Sequence, residues 1–390
     1  MSDAIAAKGR ETTLSRWLMP LAGIIGLVVL VVGLRVLADP LAGQNLLANI
    51  YDLLGNEAGA DQLRRNQGDL LLAKILLAFV ALIVGVGGVW LLYTGMSAIV
   101  GLFSPRLQER IIPWVFIVPA LLLLTMYLIY PTIATLVASF TDGTRGDPLR
   151  HYRELTTGPF LALFRNNLIW LVVGTAGSVG LGLLIAGLVD RVRREALAKT
   201  FIFLPVAISL VGASVIWRFV YQWRPEGQAQ YGLLNAVWTS VGFDPVPWIQ
   251  TAPINTFALI MIFVWIWTGF AMVVLSAAIK GVSVEVIEAA RLDGASERQI
   301  FFGVIVPIIK GSIITVATTI AIAVLKIFDI VYVMTGGRFD TDVVANRMFL
   351  EMFQFFNDGR AAALASVLFI AVLPLMIINV RNLRRQGVGA

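Results

Sequence analysis

The chain has 390 residues, of which 58% are hydrophobic and 14% are charged, and its formal net charge is +6. Because soluble domains are about 45–50% apolar and about 25% charged, this composition predicts an integral membrane protein and leaves no room for a large soluble catalytic domain. The chain has no cysteine and a single histidine, His151, which excludes disulfides, thiol catalysis and a histidine-based metal site or catalytic triad.

Eight apolar runs are each long enough to cross a bilayer, which requires about 20 residues. In chain order they cover residues 17–37, 70–93, 112–138, 167–189, 200–220, 255–279, 311–334 and 361–380. The sequence therefore predicts an all-α, polytopic membrane protein with about eight transmembrane helices. We expect residues 1–110 to form an N-terminal tail and two extra spans with an outer loop, and residues 111–385 to form a six-span core.

Two features of this core can be interpreted from residue type alone. Gly174, Ser178 and Gly182 recur every four residues in the fourth span, and such small residues let helices pack closely in lipid. Residues 224–253 alternate Gly, Pro, Trp and short apolar pieces, which is too polar and too broken a pattern for a span. We interpret them as an outer-face segment that dips toward a cavity.

The stretch 283–299 is a polar island between the sixth and seventh spans. Ser283 is a good N-cap, and Gly294 is the residue expected where a helix of roughly 10 residues must end in a left-handed conformation. Ser296 and Gln299 form the capping-box pattern that begins a second helix, and Pro307 is expected to kink or end it. The sequence therefore predicts helix, glycine corner and helix in a loop outside the bilayer.

Within this loop Glu288 offers a fixed charge, and the small Ala289 and Ala290 let a partner's backbone come close. From the residues alone, an ordinary amphipathic helix at the membrane interface is an equally good interpretation.

The pattern of Glu288, Ala289 and Ala290, then Gly294 and Pro307 at their spacing, resembles the cytoplasmic coupling loop of the membrane subunits of binding-protein-dependent ABC importers. Val304 and Val306 replace the Ile and Leu that usually precede this proline. The resemblance implies that the loop 280–310 docks into a groove on an ATPase subunit. The residues implied in coupling are Glu288, Ala289, Ala290, Asp293, Gly294 and Pro307.

From about residue 131 to 380 the chain is similar to the larger membrane subunit of maltose-type carbohydrate importers, and residues 325–329 and 344–346 look most like α-glucoside permeases. This resemblance implies a carbohydrate substrate, a second permease subunit, two ATPase subunits and an extracytoplasmic sugar-binding protein as partners. It also implies a multi-pass protein of the bacterial cytoplasmic (inner) membrane. Lys and Arg density favours both termini in the cytoplasm, and no nucleic-acid partner is expected.

Lys326 and Asp329 in the seventh span are a charged pair at bilayer depth, where charges are costly and face a cavity or a partner. At a spacing of three residues they would share one helix face. Two interpretations stay open: an ion pair that locks this span to a neighbour, or a polar lining for the passage of a sugar.

In maltose-type subunits the sugar contacts come from the fifth, sixth and seventh spans. Carried over by position, the implied substrate-pathway residues are Trp265, Thr268, Gly269, Met272, Thr319, Ala323 and Lys326, with Ser209 or Ser214 in the fifth span. Asp329 is added to them as the second member of the charged pair. Met272 and Ala323 depart from the aromatic and polar types of the family pattern.

None of the six lysines follows a glycine, so the chain lacks the phosphate-binding loop of an ATPase. We expect no catalytic residue, metal or cofactor in this chain, and ATP with Mg²⁺ to be bound by the partner ATPase subunits. The alternative is a self-contained secondary sugar transporter driven by an ion gradient, which often shows paired repeats that are not evident here. A membrane scaffold without a transport role is the third interpretation.

Overall fold

The computed structural model describes residues 42–65, 70–101, 103–141, 147–190 and 192–385, and the separate positions 25, 26, 28, 29 and 33. The predicted first span, 17–37, lies almost entirely outside these residues. Every regular element in the described ranges is helical. The chain divides into two compact units, Met1–Pro131 and Thr132–Ala390.

The first unit combines two short helices with long apolar ones. Its helices are α1 (Ala42–Leu53), α2 (Glu57–Arg64), α3 (Leu70–Val100) and α4 (Pro105–Leu124). Asn56 caps α2 by accepting a hydrogen bond from the Gly59 amide at 3.0 Å, and Leu47 and Leu63 are buried where α1 and α2 pack together. The outer loop between the first two predicted spans is thus largely helical.

The second unit contains the remaining elements. In chain order they are α5 (Tyr130–Thr141), which continues α4 through a π-helical turn, α6 (Arg150–Leu155), α7 (Pro159–Ile169), α8 (Thr175–Val189), α9 (Glu195–Phe203), α10 (Leu210–Val220), α11 (Leu233–Ser240), α12 (Ile254–Lys280), α13 (Val284–Leu292), α14 (Glu297–Ile300), α15 (Val306–Ile308), α16 (Lys310–Leu325), α17 (Asp329–Met334), α18 (Val344–Phe353) and α19 (Asp358–Arg385).

Five stretches in the described ranges are long and apolar enough to cross a membrane as single helices. They are Lys74–Ser97, Pro105–Thr141, Phe160–Val189, Ile254–Lys280 and Asp358–Arg384. Two bent pairs raise the number to seven if each pair counts as one span. These seven correspond to the second to eighth predicted spans, and the first predicted span lies almost entirely outside the described residues.

Helix α12 is the centre of the second unit, and it packs against α8, α9 and α16. Gly182 of α8 lies so close to α12 that a Cβ there would be 2.5 Å from the Cβ of Ala271 and 2.9 Å from the Met272 nitrogen. Ser178 is fully buried in the same helix. The predicted close packing of small residues in this span is therefore confirmed.

The predicted fifth span, 200–220, is a pair of helices joined by a sharp bend. Helix α9 passes into a 3₁₀ turn, Leu204–Ala207, and the axis then bends by 101° into α10. Pro205 lies in that turn, and Ser209 begins the next helix as its N-cap, accepting a hydrogen bond from the Gly212 amide at 3.0 Å. Proline followed by a capping serine ends one helix and starts another.

The predicted seventh span, 311–334, is also interrupted. Helix α16 ends at Leu325, and α17 begins at Asp329, so Lys326 and Asp329 do not lie on one face of one helix. Lys326 follows the carboxyl end of α16, and Asp329 occupies the first turn of α17. A cation at the end of one helix and an anion at the start of the next are each favoured by the helix dipole.

Polar side chains join α16 to the last helix, α19. The Asn379 amide donates to the Thr318 hydroxyl at 2.9 Å, and Asn382 donates to the Gly311 carbonyl and the Thr315 hydroxyl, both at 2.7 Å. These bonds place the carboxyl end of α19 beside the start of α16. We call this end of the second unit, which carries residues 280–310, the loop end, and the opposite end the distal end.

The distal end is closed by two buried polar networks. The Asn235 side chain, fully buried, bonds the Gln222 and Val246 carbonyls, the Val246 amide and the Trp248 indole at 2.9–3.2 Å. The second network is ionic. The Glu351 carboxylate is completely buried and meets Arg347 at 2.8 Å and Arg360 at 3.2 Å.

Candidate coupling loop and translocation pathway

The corner of the 280–310 loop forms by local backbone hydrogen bonds, as the sequence predicts. Gly294 has φ +81°, the left-handed conformation that glycine adopts without strain. Its amide bonds the Arg291 carbonyl at 3.0 Å, and the Ala295 amide bonds the Ala290 carbonyl at 3.1 Å. This pair of bonds is a Schellman motif, which ends α13 at a fixed angle.

The second helix of the loop begins as predicted. The Ser296 backbone amide donates to the Gln299 side chain at 2.8 Å, and the Gln299 amide donates back to the Ser296 hydroxyl at 3.4 Å, which completes the capping box. Arg291 and Glu297 form an ion pair at 3.0 Å between the two helices. The corner is therefore fixed by the end of α13, by the capping box of α14 and by the ion pair between the two helices.

The prediction that the Ser283 side chain caps α13 is wrong. Ser283 does precede α13, but its side chain makes no capping bond to the backbone. Instead its hydroxyl donates to the Glu285 carboxylate, and this hydrogen bond holds the pKa of Glu285 below its usual range. Glu285, in the first turn, thus remains an anion at the positive end of the helix.

Helix α13 turns two different faces to its surroundings. Ile287 and Ala290 pack against the small core formed by Val282, Ile300, Ile305 and Ile309. Glu288, Ala289, Asp293 and Gly294 are exposed, and the Leu292 side chain is 89% exposed. The outward face therefore combines a carboxylate, a small residue and a large apolar side chain at the tip of a rigid loop.

Pro307 lies where the loop rejoins the membrane-spanning part. Helix α15 ends at Ile308, and the axis turns by 72° into α16. The predicted kink is thus present, one residue after the proline. It connects the corner at Gly294 directly to α16, and through Asn379 and Asn382 to α19.

The loop's base holds a charged cluster that sequence analysis missed. The Lys199 ammonium meets Asp190 at 2.7 Å and Glu195 at 2.5 Å, and Lys280 meets the same Glu195 oxygen at 2.5 Å. Ser276 also donates to Asp190 at 2.7 Å. The cluster ties α8, α9 and α12 together where the loop leaves α12. The spacing of Glu195 and Lys199, four residues apart, was its only sequence signal.

The four pathway residues carried over on α12 do not share one surface. Thr268 and Met272 are buried, and the Thr268 hydroxyl donates to the Val264 carbonyl at 2.6 Å. Gly269 faces α9, since a Cβ there would be 2.7 Å from the Ile202 carbonyl oxygen. Trp265 is half-buried, with its ring 5.8 Å from that of Trp217.

The remaining pathway residues also separate. Ser209 is exposed and caps α10, whereas Ser214 is fully buried and donates to the Leu210 carbonyl at 2.7 Å. Thr319 and Ala323 are half-buried on α16, and the Thr319 hydroxyl donates to the Thr315 carbonyl at 2.8 Å. In this conformation the two serines are thus committed to local backbone bonds.

Lys326 lies at a cavity of about 460 Å³. The side chain is exposed, and the cavity wall beside it contains Phe328, Met348 and Phe349. Asp329 is half-buried, and among the ion pairs of the described residues none joins it to Lys326. The structure therefore does not support the locking ion pair, and it leaves Lys326 as a cation at an aromatic cavity.

Within the described ranges no group of three His, Cys, Asp or Glu residues is arranged to hold a metal ion. The arrangement as a whole consists of a rigid loop with an exposed face, two broken spans and an apolar cavity with one cation.

This arrangement can be compared with known proteins. A family model described as the binding-protein-dependent transport system inner membrane component matches residues 178–386. Over 274 residues, 70% of this chain and 98% of the relative, the chain is 52% identical to the osmoprotective compounds uptake permease protein GgtC of Synechocystis sp.. It is 48% identical to the alpha-glucoside transport system permease protein AglF of Rhizobium meliloti, over 73% of this chain and 86% of that protein.

A solved structure shows the same fold. A chain of the bacterial alginate ABC transporter, crystallised with a periplasmic protein that binds an alginate pentasaccharide, superposes with a TM-score of 0.63 at 20% identity. The match covers 72% of this chain and 98% of that chain. Since the family model covers more than half of the sequence, the chain belongs to the inner membrane components of binding-protein-dependent transport systems.

Proposed function

We propose that this chain is the permease subunit of an ATP-driven importer of α-glucosides or related oligosaccharides in a bacterial cytoplasmic membrane. It forms half of the translocation pathway beside a second, similar permease. Two ATPase subunits and an extracytoplasmic sugar-binding protein complete the transporter. Family membership supports the transport role, and the 48% identity to the alpha-glucoside permease AglF supports the choice of substrate class.

The observation that carries the proposal is the exposed face of α13. Leu292, 89% exposed, lies at the end of a helix whose other face packs on the core through the partly buried Ile287 and Ala290, and whose corner is fixed by the Gly294 motif. A large apolar side chain beside the Glu288 carboxylate, on a rigid element, suits burial in a groove of a partner protein. The partner is the ATPase, and the loop end is cytoplasmic.

The same elements give a path for the motion. When the ATPase dimer closes on ATP, its groove carries α13, and the bend after Pro307 passes the displacement to α16. The bonds from Asn379 and Asn382 make α19 follow α16. A swing of these helices as rigid elements alternately opens the pathway to the two sides of the membrane.

No step of ATP hydrolysis is assigned to this chain. The sequence lacks a phosphate-binding loop, so ATP and Mg²⁺ belong to the ATPase subunits, and we propose no cofactor here. The pathway residues remain a proposal. Trp265 and Lys326 are accessible in this conformation, whereas Thr268, Met272 and Ser214 meet a sugar only after the helices around α12 move apart.

Co-purification tests the docking face. The protein is extracted from native membranes as wild type, as Glu288→Lys, and as the matched control Glu226→Lys, which reverses an exposed carboxylate at the distal end. We expect an ATPase subunit with the wild type and the control, and its loss with Glu288→Lys. Wild-type protein that purifies without any ATPase contradicts the proposal.

Reconstitution then separates the proposal from a secondary transporter. Proteoliposomes that contain this chain alone should take up no maltose, trehalose or sucrose under an imposed proton or sodium gradient. The complete complex with binding protein and internal ATP should take up at least one of them. Uptake by the chain alone would identify an ion-driven transporter instead.

A further inference from the structure

The distal end of the second unit contains a cavity that the proposed coupling and translocation roles do not use. It has a volume of about 350 Å³, within the range of small-molecule sites. Its wall comes from the end of α10, the residues that follow it, and the segment 247–250 that leads into α12. Because α12 runs from this cavity to the loop end, the cavity lies at the opposite end from α13.

The wall combines aromatic rings with polar groups. Tyr221 and Trp223 supply rings, and Arg218, Gln222 and Gln250 supply hydrogen-bonding ends. The three polar residues are exposed, so the cavity opens to the surface. The wall therefore offers a ligand both apolar ring faces and several hydrogen-bond donors and acceptors.

The polar ends are free to bind a ligand. Among the described residues no hydrogen bond from the side-chain amide of Gln222 or Gln250 is present, although the Gln222 carbonyl is used by Asn235. Arg218 donates through one nitrogen to the Val333 carbonyl of α17, which fixes its position and leaves other donors available.

Trp223 provides a further unsatisfied group. Its indole nitrogen is buried and has no hydrogen-bond partner in the described part of the chain. Because this nitrogen is buried, Trp223 contributes its ring to the cavity wall. The backbone around this site is rigid, because Asn235 bonds the Gln222 and Val246 carbonyls on either side of it.

We propose that this cavity is a subsite for one sugar ring of the transported glycoside, bound before the ring enters the membrane. The apolar face of the ring packs on Trp223. The amides of Gln222 and Gln250 each donate to one hydroxyl and accept from another, and Arg218 donates to a third. The uncharged glutamines and the single cation favour a neutral glycoside over a dianionic ligand.

This inference rests on the proposed transport function, and it adds a site at the outer mouth. Saturation-transfer NMR on the complete transporter, with maltose, trehalose and sucrose as probes and no binding protein present, measures it directly. Protein protons are saturated, and the transfer to the sugar ring protons is titrated against sugar concentration. The variants are Gln222→Ala, Gln250→Ala and Trp223→Ala, with Gln228→Ala as the control.

Gln228 is an exposed glutamine of the same segment that does not line the cavity. We expect Gln222→Ala and Gln250→Ala each to weaken binding of at least one probe by roughly 2- to 10-fold, the effect of one lost hydrogen bond, with no change for Gln228→Ala. Trp223→Ala should weaken binding by at least as much, because it removes the ring on which the sugar packs. The two glutamine variants remove no bond of the described structure, so their folding should match the wild type in thermal unfolding.

Equal binding by all variants overturns the subsite, and so does a loss that Gln228→Ala shares. This result is distinct from a failure of the proposed function. If the wild-type complex takes up a probe with ATP while the cavity variants bind it unchanged, the importer stands and only the subsite falls.

Discussion

The hydrogen bonds that fix the Gly294 corner at the loop end join residues three to six positions apart, whereas at the distal end Arg360 bonds Glu154 across 206 positions. The corner is therefore shaped by its own short sequence and can present α13 as a preformed element. The ionic network of the distal end forms only when α6, α18 and α19 meet. A loop that must dock on a partner and move as one unit is stabilised by hydrogen bonds within itself. Helices that close a fold can be stabilised by bonds to distant segments instead.

The largest effect is expected at the distal end, from Glu351→Ala. The buried carboxylate pairs with Arg347 and is one of two carboxylate partners of Arg360, so its removal leaves Arg347 without this partner and Arg360 with Glu154 alone. We expect a loss of about 3–5 kcal/mol of folding free energy. The measurement is thermal unfolding of purified protein in detergent, with exposed Glu226→Ala as the control. A change within about 0.5 kcal/mol of wild type, typical of surface positions, would show that the network does not hold this end.

At the loop end a backbone change should have a smaller effect confined to that loop. Gly294→Ala places a Cβ at φ +81°, with nothing within 4 Å, so the cost is conformational and about 1–2 kcal/mol. Gly303→Ala, with equal space and no positive φ, should cost nothing. Hydrogen exchange of residues 284–300 is the readout. Faster exchange at the distal end in Gly294→Ala would mean that the two ends are not independent.

Replacement of the two serines of the loop by alanine should lower the stability of the protein by different amounts. Ser296→Ala removes the capping bond to Gln299 and should cost about 1 kcal/mol. Ser283→Ala removes no backbone cap and should cost less than half of that. Thermal unfolding of both variants beside wild type measures the difference. Equal losses would indicate that Ser283 caps α13 through a bond that the structure does not show.

The smallest effect depends on pH. Burial alone would raise the pKa of Glu154, but hydrogen bonds from Arg360 and Arg150 outweigh it and lower the pKa from its usual 4.5. Because the folded-state pKa is depressed, the carboxylate stabilises the fold at higher pH, and this contribution is lost as the pH falls from about 4.5 through the folded-state value.

Glu154→Gln should therefore lower stability by no more than about 1 kcal/mol near neutral pH, since the pair is partly exposed. The difference from wild type should shrink in acid. Unfolding midpoints of the two proteins, followed from pH 7 down to about pH 3, give the test. A difference that grows on acidification would mean that Glu154 is protonated in the folded protein at neutral pH.

What could be predicted from the sequence follows the same division. Gly294, the pair Ser296 and Gln299, and the kink at Pro307 are signalled by residue types at short spacing, and the structure confirms all three. Most apolar runs were also located correctly, because span length and hydropathy are local properties.

Two kinds of structural feature were not predicted from the sequence, namely breaks inside apolar runs and contacts between segments. The breaks at residues 204–208 and 326–328 lie inside apolar sequence, where hydropathy cannot distinguish a straight span from two bent halves. Asn379 at the end of the last apolar run, followed three residues later by Asn382, is a sequence signal of helix pairing. The bond from Arg360 to Glu154 joins positions 206 residues apart, and a single sequence does not show such a contact.

The 101° bend between α9 and α10 has a consequence for how the chain enters its membrane. Helix α9 has 9 residues and α10 has 11, so each is about 14–16 Å long against a hydrocarbon layer of about 30 Å. Neither half can partition into lipid as a complete span, and the backbone at the bend needs protein around it. That protein is α12, whose Gly269 meets the Ile202 carbonyl. The two halves are therefore stable in the membrane only when α12 is beside them, which makes α12 a folding partner of this segment as well as the centre of the finished fold.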